Sequence, residues 1–409
     1  MKISIIFLHI SLATVNFLNS QNKEPISNIK VVEKDGGSTF FFNGDRYNGF
    51  IYENHENKNI KVKFEVKDGF SNGIFEEYYD NGQLKRKTTS INSEFNGQVE
   101  CYYEKGQLSS KGYYKNSKLD GPYEEYYENG NIYFKTTYKN NKRDGLYEQY
   151  YKSGELLFKT TYKDDYKNGL QEQYYKSGQL ELKTIFKNNK IDGAFERYHE
   201  NGKLERKGNH INGKEYGLHE QYYSNGQLEL KINFKNGKND GQYENYYRNG
   251  QLKRKCTYIN GEIEGEQKLY YENGQLESKT NFKNSKYDGW FEEYQKNGQL
   301  KVKIFFKNGI LDGVMEIYYD NGQLEGIRTY KGGKENGPVK YYYENGNIHW
   351  KTTYKDGKSE GLHISFYKNG KLKEKSNFKN GLLDGVSELY KKNGNLKVKH
   401  IYKKGIRVK

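Results

Sequence analysis

A glycine recurs every 24 residues along most of this 409-residue chain, and this spacing constrains the fold more than any other feature. A second glycine follows nine residues after each of them from Gly73 onward. Fixed periods of about 20 to 50 residues are typical of repeat proteins, in which each unit buries its apolar surface against its neighbours. The first series runs without an insertion through positions 49, 73, 97, 121, 145, 169, 193, 217, 241, 265, 289, 313, 337, 361 and 385.

Each repeat has the pattern of a strand, a tight turn and a second strand. Counting from the first glycine as zero, position +5 is Tyr in thirteen of the fourteen repeats that start at Gly73, and position +11 is Leu in twelve. An Asn-Gly or Ser-Gly pair at +8 and +9 predicts a two-residue type I′ hairpin loop. A second turn-rich segment, such as 235–241, joins each hairpin to the next. The sequence therefore predicts an all-β fold, an elongated single antiparallel sheet of stacked 24-residue β-hairpins.

This hairpin proposal makes a prediction about charge pairing. With the loop at +8 and +9, opposed residues have offsets that sum to 17, so position +3 faces position +14. These positions are Glu and Lys together in ten repeats, as in Glu148 with Lys159. Opposite charges across antiparallel strands stabilise the pairing. We interpret the Glu and Lys rows as self-paired sheet surface rather than as an ion-binding site.

Side-chain alternation assigns the two faces of the sheet. Positions +2, +6, +11 and +17 are predicted to share the more apolar face, as in Tyr147, Tyr151, Leu156 and Tyr162. The other face is predicted to carry the Glu and Lys rows around the +5 tyrosine, such as Tyr150. Only 33% of the residues are hydrophobic, so a thick core is not expected.

The chain divides into four predicted segments. Residues 1–20 have the charged start, short apolar run and small-residue exit of a secretory signal peptide, with an uncleaved anchor as the alternative. Residues 21–48 are predicted to be an N-terminal cap with a degenerate half-repeat, 49–404 an array of about fifteen repeats, and 405–409 a C-terminal capping strand. We expect an exported protein that is periplasmic, cell-surface or secreted.

The net charge is +15, from 68 Lys and Arg against 53 Asp and Glu. A positive balance favours anionic partners such as an anionic lipid or polymer. Abundant surface lysine also keeps a thin, tyrosine-rich sheet soluble and its edges unpaired. The charge alone leaves both interpretations open.

The repeat Tyr-Lys-Asn-Gly-Lys-x-Asp-Gly-x-x-Glu-x-Tyr-Tyr-x-Asn-Gly-Gln-Leu resembles the MORN-repeat variant of the bacterial YwqK-family antitoxins. The resemblance covers about residues 45 to 405. It implies a single elongated antiparallel sheet that serves in protein or membrane association. The better-known MORN pattern opens a strand with Tyr-x-Gly, where this chain has Lys-Thr-Thr-Tyr, as at 351–354.

No motif in the chain predicts catalysis. Its His-Glu pairs lack the second histidine of a zinc-protease motif, and segment 357–359 lacks the first glycine of a phosphate-binding loop. His199, His210 and His219 form the densest histidine cluster, and we expect them to lie about 10 Å or more apart and to serve in packing. The sequence predicts no enzyme activity, no cofactor and no metal site.

Specificity is expected at positions that vary between repeats and face solvent, mainly +4, +12 and +13. Packing between sheet neighbours is the alternative role for such residues. The candidate binding surface consists of Tyr133, Phe134, Leu157, Phe158, His349 and Trp350.

Three functions fit these features. The first is an exported, non-enzymatic scaffold that binds a protein partner, the second a YwqK-type antitoxin that sequesters a toxin, and the third an envelope adhesin for anionic lipid or polymer. Nucleic acid is not expected as a partner, because Glu is interleaved with Lys along the sheet.

Overall fold

The computed structural model describes residues 15–18, 29–34 and 37–408. All regular secondary structure in these residues is β-strand. The prediction of an all-β fold made of antiparallel hairpins is therefore confirmed. Two compact units, Met1–Gly202 and Lys203–Lys409, are built in the same way. The described residues contain no helix of the length and apolarity that crossing a membrane requires.

The strands of the first unit are Val15–Leu18, Ile29–Lys34, Gly37–Phe42, Asp45–Arg46, Gly49–Asn54, Ile60–Lys67, Phe70–Tyr78, Leu84–Ile91, Glu94–Phe95, Gly97–Tyr102, Leu108–Lys115, Lys118–Leu119, Gly121–Tyr126, Ile132–Lys139, Lys142–Arg143, Gly145–Tyr150, Leu156–Lys163, Tyr166–Lys167, Gly169–Tyr174, Leu180–Lys187 and Lys190–Tyr198. The strands of the second unit are Leu204–Ile211, Lys214–Tyr222, Leu228–Lys235, Lys238–Tyr246, Leu252–Ile259, Glu262–Tyr270, Leu276–Lys283, Lys286–Tyr294, Leu300–Lys307, Ile310–Tyr318, Leu324–Lys331, Lys334–Glu335, Gly337–Tyr342, Ile348–Lys355, Lys358–Phe366, Leu372–Lys379, Leu382–Tyr390, Leu396–Lys403 and Ile406–Arg407.

The strand register agrees with the charge pattern in both units. In the first unit Glu148 lies opposite Lys159 and Gly145 opposite Tyr162. The second unit repeats the pattern, with Glu244 opposite Lys255. The prediction that +3 faces +14 is confirmed, and by the same offset rule the +17 residue faces the framework glycine.

The type I′ turns lie between the hairpins and not in the hairpin loops, where the sequence predicted them. The turns between hairpins are the type I′ turns, because both central residues have positive φ, as in Asn140 at 50° and Asn141 at 65°. In the hairpin loops that contain this glycine, only the glycine has a positive φ, as at Gly154 with φ 107°. Gly154 N donates to Tyr151 O at 2.9 Å, which closes a three-residue loop. The predicted type I′ loop at +8 and +9 is wrong, because a three-residue loop that ends in a left-handed glycine also accepts Asn-Gly or Ser-Gly.

A β-bulge compensates for the extra loop residue. Gln149 pairs with Phe158 but the next residue, Tyr150, pairs with Leu156, so Leu157 at +12 has no partner across the strand. An inserted residue reverses the side-chain alternation beyond it. Leu156 therefore shares the face of Tyr150, and its predicted place beside Tyr147 and Tyr162 is wrong.

The predicted cap, residues 21–48, forms a separate small sheet from its described strands Ile29–Lys34, Gly37–Phe42 and Asp45–Arg46. Phe40 N donates to Gly69 O at 2.8 Å, which joins this sheet to the first repeats. The hydrophobic core at this end consists of Phe40, Ile51, Val62, Phe64 and Val66. At the other terminus the strand Ile406–Arg407 pairs with residues 402–403. This strand lies within the predicted capping strand, residues 405–409.

Of the predicted signal peptide, residues 1–20, only Val15–Leu18 are described. Their backbone forms a strand that pairs with residues 50–53. The other residues of that segment lie outside the described part of the chain.

Candidate functional site

One face of the sheet consists of paired charges; we call positions +3, +5 and +14 the ladder face. Glu148 lies between Lys135 of the preceding hairpin and Lys159 of its own. Its ion pair is with Lys135, at 2.7 Å between Nζ and Oε2. Tyr150 donates to the same carboxylate at 3.3 Å, and the Lys135 ammonium lies 5.7 Å from the Tyr150 ring centroid. The ladder face thus satisfies its own charges across neighbouring hairpins.

The other face carries aromatic rings above small residues; we call positions +2, +13, +15 and +17 the aromatic face. The Phe134 and Tyr147 ring centroids are 5.3 Å apart, and those of Tyr147 and Phe158 are 5.5 Å apart, both stacked. Opposite Tyr147 lies Thr160, which is 1% exposed. Small residues at +15 let rings from adjacent strands meet over them, so Phe134, Tyr147 and Phe158 form one row of stacked rings.

The bulge at +12 places four of the predicted site residues on the aromatic face. Tyr133 and Phe134 are consecutive in sequence, yet their ring centroids are only 5.5 Å apart. Both side chains therefore project from the same face of the sheet. Leu157 and Phe158 occupy the same positions of the next hairpin and are half-buried. Phe158 lies between the Tyr147 ring and the Lys167 ammonium, 5.4 Å away. These four residues form one surface in the first unit.

His349 and Trp350 form a separate cluster in the second unit. The His349 ring stacks on Tyr343 at 4.3 Å, and Trp350 stacks on Tyr341 at 4.8 Å. Trp350 also contacts His363 at 5.8 Å. Both candidate residues are half-buried between sheet neighbours. Ring packing, the alternative considered for these positions, accounts for their contacts.

The aromatic face of the first unit contains a groove of about 900 Å³. It opens where one hairpin has Ser109 and Ser110 at +12 and +13, whereas the next hairpin has Tyr133 and Phe134 there. Gly112 lets the Tyr123 ring, which lines the groove, pack directly against the strand, because a Cβ at this position would lie 2.7 Å from that ring. The aromatic side chains that line this groove are Tyr103, Tyr114, Tyr123, Tyr133, Phe134, Tyr138 and Tyr147.

Three charged side chains also line the groove. Arg143 and Asp165 neutralise each other, with 3.0 Å between Nε and Oδ1. Burial raises the pKa of the third, the Glu125 carboxyl. Within the described residues no hydrogen bond or ion pair involves the Glu125 side chain. Burial, followed by the Glu125 charge and other groups, also raises the pKa of Tyr123. The groove is thus an aromatic pocket with one uncompensated carboxylate.

Glu125 and the serines at +12 and +13 of the preceding hairpin, Ser109 and Ser110, were not among the sequence candidates. The sequence does contain a signal for Glu125. Where position +4 is Glu in other repeats, position +12 is Lys, but here it is Tyr133. The groove itself had no comparable signal, because it depends on how the aromatic side chains pack, including Tyr123 against Gly112.

The histidine cluster differs from the expected spacing. The ring centroids of His210 and His219 are 5.6 Å apart, so the expected separation of about 10 Å or more is wrong for this pair. His219 is 1% exposed and lies against Gly208, where a Cβ would be 2.3 Å from its Nδ1. Its Nε2 is 2.9 Å from the Asn209 carbonyl oxygen. Over the described part of the chain, no three His, Cys, Asp or Glu side chains are grouped for a metal ion.

The fold and its repeated contacts define a repeat protein of stacked, antiparallel 24-residue hairpins. The chain belongs to the MORN repeat variant family, whose pattern it matches fourteen times. The matched residues are 71–92, 95–116, 119–140, 143–164, 167–188, 191–212, 215–236, 239–260, 263–284, 287–308, 311–331, 335–356, 359–380 and 383–404.

No curated protein is similar in sequence to this chain at a significant level. Similar solved structures include TcdB2-TccC3 with Cdc42, at 10% identity over 92% of this chain and 24% of that one, with a TM-score of 0.14. TcdB2-TccC3 alone is 13% identical over 91% of this chain and 23% of the other, with a TM-score of 0.16. The Tc holotoxin pore of Photorhabdus luminescens is 10% identical over 88% and 26%, with a TM-score of 0.15. The chain spans about a quarter of the length of these proteins.

Proposed function

We propose that this protein is a non-enzymatic repeat scaffold that binds a protein partner on its aromatic face. The observation that carries the proposal is the groove in the first unit, which is lined by the stacked rings of Phe134 and Tyr147. Phe158 continues this row of rings by stacking on Tyr147. Tyrosine and other aromatic side chains supply large contact areas with a polar end and are enriched in protein interfaces. Positions +12 and +13 vary between repeats, so the same fold presents a distinct surface in each hairpin.

The ladder face supports the same choice of surface. Its glutamates are held by lysines and tyrosine hydroxyls, as Glu172 is by Lys159 at 2.7 Å and Tyr174 at 3.0 Å. A partner that bound there would have to break these contacts and desolvate the charges. The aromatic face offers apolar area without that cost.

A capture experiment tests the proposal. The tagged protein is incubated with extract of its native cells and washed at about 0.15 M and about 1 M salt, where the Debye length falls from roughly 8 Å to 3 Å. We expect one polypeptide at fixed stoichiometry that survives the high-salt wash. Phe158→Ala should abolish its recovery, whereas Lys183→Ala on the ladder face should leave it unchanged.

The other outcomes are distinct. Lipid or polymer that is released by salt without saturation would overturn the proposal in favour of an adhesin. A captured toxin would place the protein with the YwqK-type antitoxins and would keep the binding surface. Equal loss of the partner in both variants would contradict the assignment of the aromatic face.

We further propose that the protein acts outside the cytoplasm, on the strength of the apolar run from Ile3 to Leu18. N-terminal sequencing of the protein from native cells tests this. A mature chain that begins after about residue 20 is expected. Retention of Val15–Leu18 in a cytoplasmic fraction would overturn it.

A further inference from the structure

Positions +4 and +12 form an ion pair wherever position +4 is Glu and position +12 is Lys. The Lys61 ammonium lies 3.0 Å from Glu53, Lys85 lies 2.7 Å from Glu77, and Lys301 lies 2.6 Å from Glu293. The bulge explains the pairing, because it turns the +12 side chain onto the aromatic face beside +4. The repeat therefore contains a built position for an ammonium next to the +4 carboxylate.

Glu125 is the one +4 glutamate whose hairpin lacks this lysine. Position +12 of the same hairpin is Tyr133, and position +12 of the preceding hairpin is Ser109. In the backbone register Glu125 lies opposite Ser110 on one side and Phe134 on the other. Neither neighbour supplies a positive charge, and the nearest guanidinium of the groove, that of Arg143, is bonded to Asp165.

The groove surrounds this carboxylate with tyrosine rings. Tyr103, Tyr123 and Tyr133 line it, and the charge of Glu125 contributes to the raised pKa of both Tyr103 and Tyr123. Aromatic faces attract cations, and a buried carboxylate gains most from a cation that also donates hydrogen bonds. A flexible apolar stem that ends in an ammonium matches a groove lined by tyrosine rings and one unpaired carboxylate.

From these observations we propose that the groove beside Glu125 binds the side-chain ammonium of a lysine in a protein partner. The inserted lysine replaces, in trans, the +12 lysine that the other three hairpins supply in cis. Its methylene stem packs along Tyr123 and Tyr133, and its ammonium donates to the Glu125 carboxylate. The proposal rests on the proposed function for the identity of the ligand as part of a protein.

The test uses the full chain and a defined probe, Nα-acetyl-lysine N-methylamide, titrated by calorimetry or ligand-observed NMR. The neutral control ligand is Nα-acetyl-norleucine N-methylamide, which has a stem but no ammonium. We expect saturable binding of the lysine probe at one site per chain and at least tenfold weaker binding of the norleucine analogue. The net charge of +15 repels a cation in general, so preference for the lysine probe reports a local carboxylate.

Two variants locate the site. Glu125→Gln should weaken the lysine probe about tenfold or more, as expected for loss of a hydrogen bond to a charged group. Tyr133→Lys should do the same by restoring the ammonium in cis, and it recreates a pair that three hairpins already contain. Glu293→Gln is the matched control, because Glu293 already has Lys301, and it should leave probe binding unchanged.

Equal affinity for both probes, or an unchanged affinity in a folded Glu125→Gln or Tyr133→Lys protein, would overturn the inference. The comparison of the two probes needs no variant and stands if a substitution impairs folding. Failure here leaves the partner capture intact, and failure of the capture leaves the lysine site intact, so the two proposals fail separately.

Discussion

The hydroxyl of Tyr247 donates a hydrogen bond to the main-chain carbonyl of Tyr270, 23 residues later, at 2.8 Å. The donor is at +6 in one hairpin and the acceptor at +5 in the next, beside the loop where the bulge interrupts the ladder. Each such bond ties a hairpin to its neighbour through a side chain rather than through the sheet. The same bond joins Tyr79 to Tyr102, Tyr103 to Tyr126, Tyr127 to Tyr150, Tyr151 to Tyr174, Tyr175 to Tyr198, Tyr223 to Tyr246, Tyr271 to Tyr294, Tyr319 to Tyr342, Tyr343 to Phe366 and Tyr367 to Tyr390.

Removal of one of these hydroxyls should destabilise the sheet. We expect Tyr247→Phe to lower the free energy of unfolding by about 0.5 to 1.5 kcal/mol, the net contribution of one hydrogen bond. Urea denaturation measures the change. The control is Tyr287→Phe, since the Tyr287 ring packs on Phe282 and Phe306 but its hydroxyl has no hydrogen bond within the described residues. Equal effects of the two substitutions would contradict the role of the bond.

Adjacent threonines should respond in opposite directions to removal of their hydroxyls. Thr160 Oγ1 is buried without a hydrogen-bond partner among the described residues, whereas Thr161 Oγ1 donates to Asn168 O at 2.5 Å. Replacing an unsatisfied buried hydroxyl by a methyl group removes a desolvation cost. We expect Thr160→Val to raise the free energy of unfolding by about 1 kcal/mol and Thr161→Val to lower it by a similar amount. Chemical denaturation of both variants measures the sign of each change in the free energy of unfolding. A loss of stability in both variants would show that the altered side-chain packing has a larger effect than the unsatisfied hydroxyl.

The two kinds of Asn-Gly turn should be distinguished by glycine substitution. Asn308 has φ 50° in an inter-hairpin turn, where glycine is accommodated without strain. Asn321, in a hairpin loop, has no positive φ, and its Oδ1 accepts a hydrogen bond from Gln323 N at 2.9 Å. We expect Asn308→Gly to be neutral or slightly stabilising and Asn321→Gly to cost about 1 kcal/mol. Thermal unfolding measures both, and a reversed order would contradict the turn assignment.

Two glutamates on opposite faces should have opposite effects on the dependence of stability on pH. A hydrogen bond from Lys255 at 2.9 Å is the main cause that lowers the pKa of Glu244. Because the folded pKa lies below the unfolded value of about 4.5, its contribution is present above pH 4.5 and is lost as the pH falls through the folded pKa. Glu244→Gln should therefore lower the stability at neutral pH and flatten its decline in acid.

Burial raises the pKa of Glu125 instead. Its folded pKa lies above the unfolded one, so the ionised carboxylate costs stability once the pH exceeds the unfolded value. We expect Glu125→Gln to raise stability at neutral pH. Denaturation midpoints of both variants between about pH 3 and pH 7 provide the measurement. A destabilising Glu125→Gln would indicate that a partner for this carboxylate exists within the chain.

The sequence by itself determined the repeat, the strands and their register up to the bulge at +12. Twenty-four-residue spacing, the Tyr at +5 and the complementary Glu and Lys at +3 and +14 are local or cross-strand features, and each recurs in most of the hairpins. A pattern repeated fourteen times averages out the ambiguity of any one segment. Charge pairing across adjacent strands depends only on offset, so it could be predicted without coordinates.

Only the tertiary structure decided which residues share a face and where a ligand could enter. The bulge at +12, which recurs in both hairpins, moved Leu156 to the ladder face and brought Tyr133 beside Phe134. A single inserted residue reverses the side-chain alternation beyond it. The Asn-Gly and Ser-Gly pairs were compatible with two loop types, and the choice depended on hydrogen bonds such as that from Gly154 to Tyr151. The groove at Glu125 arose from small residues on one hairpin meeting large rings on the next. Such complementarity depends on volumes packed in three dimensions, which a pattern along the chain does not specify.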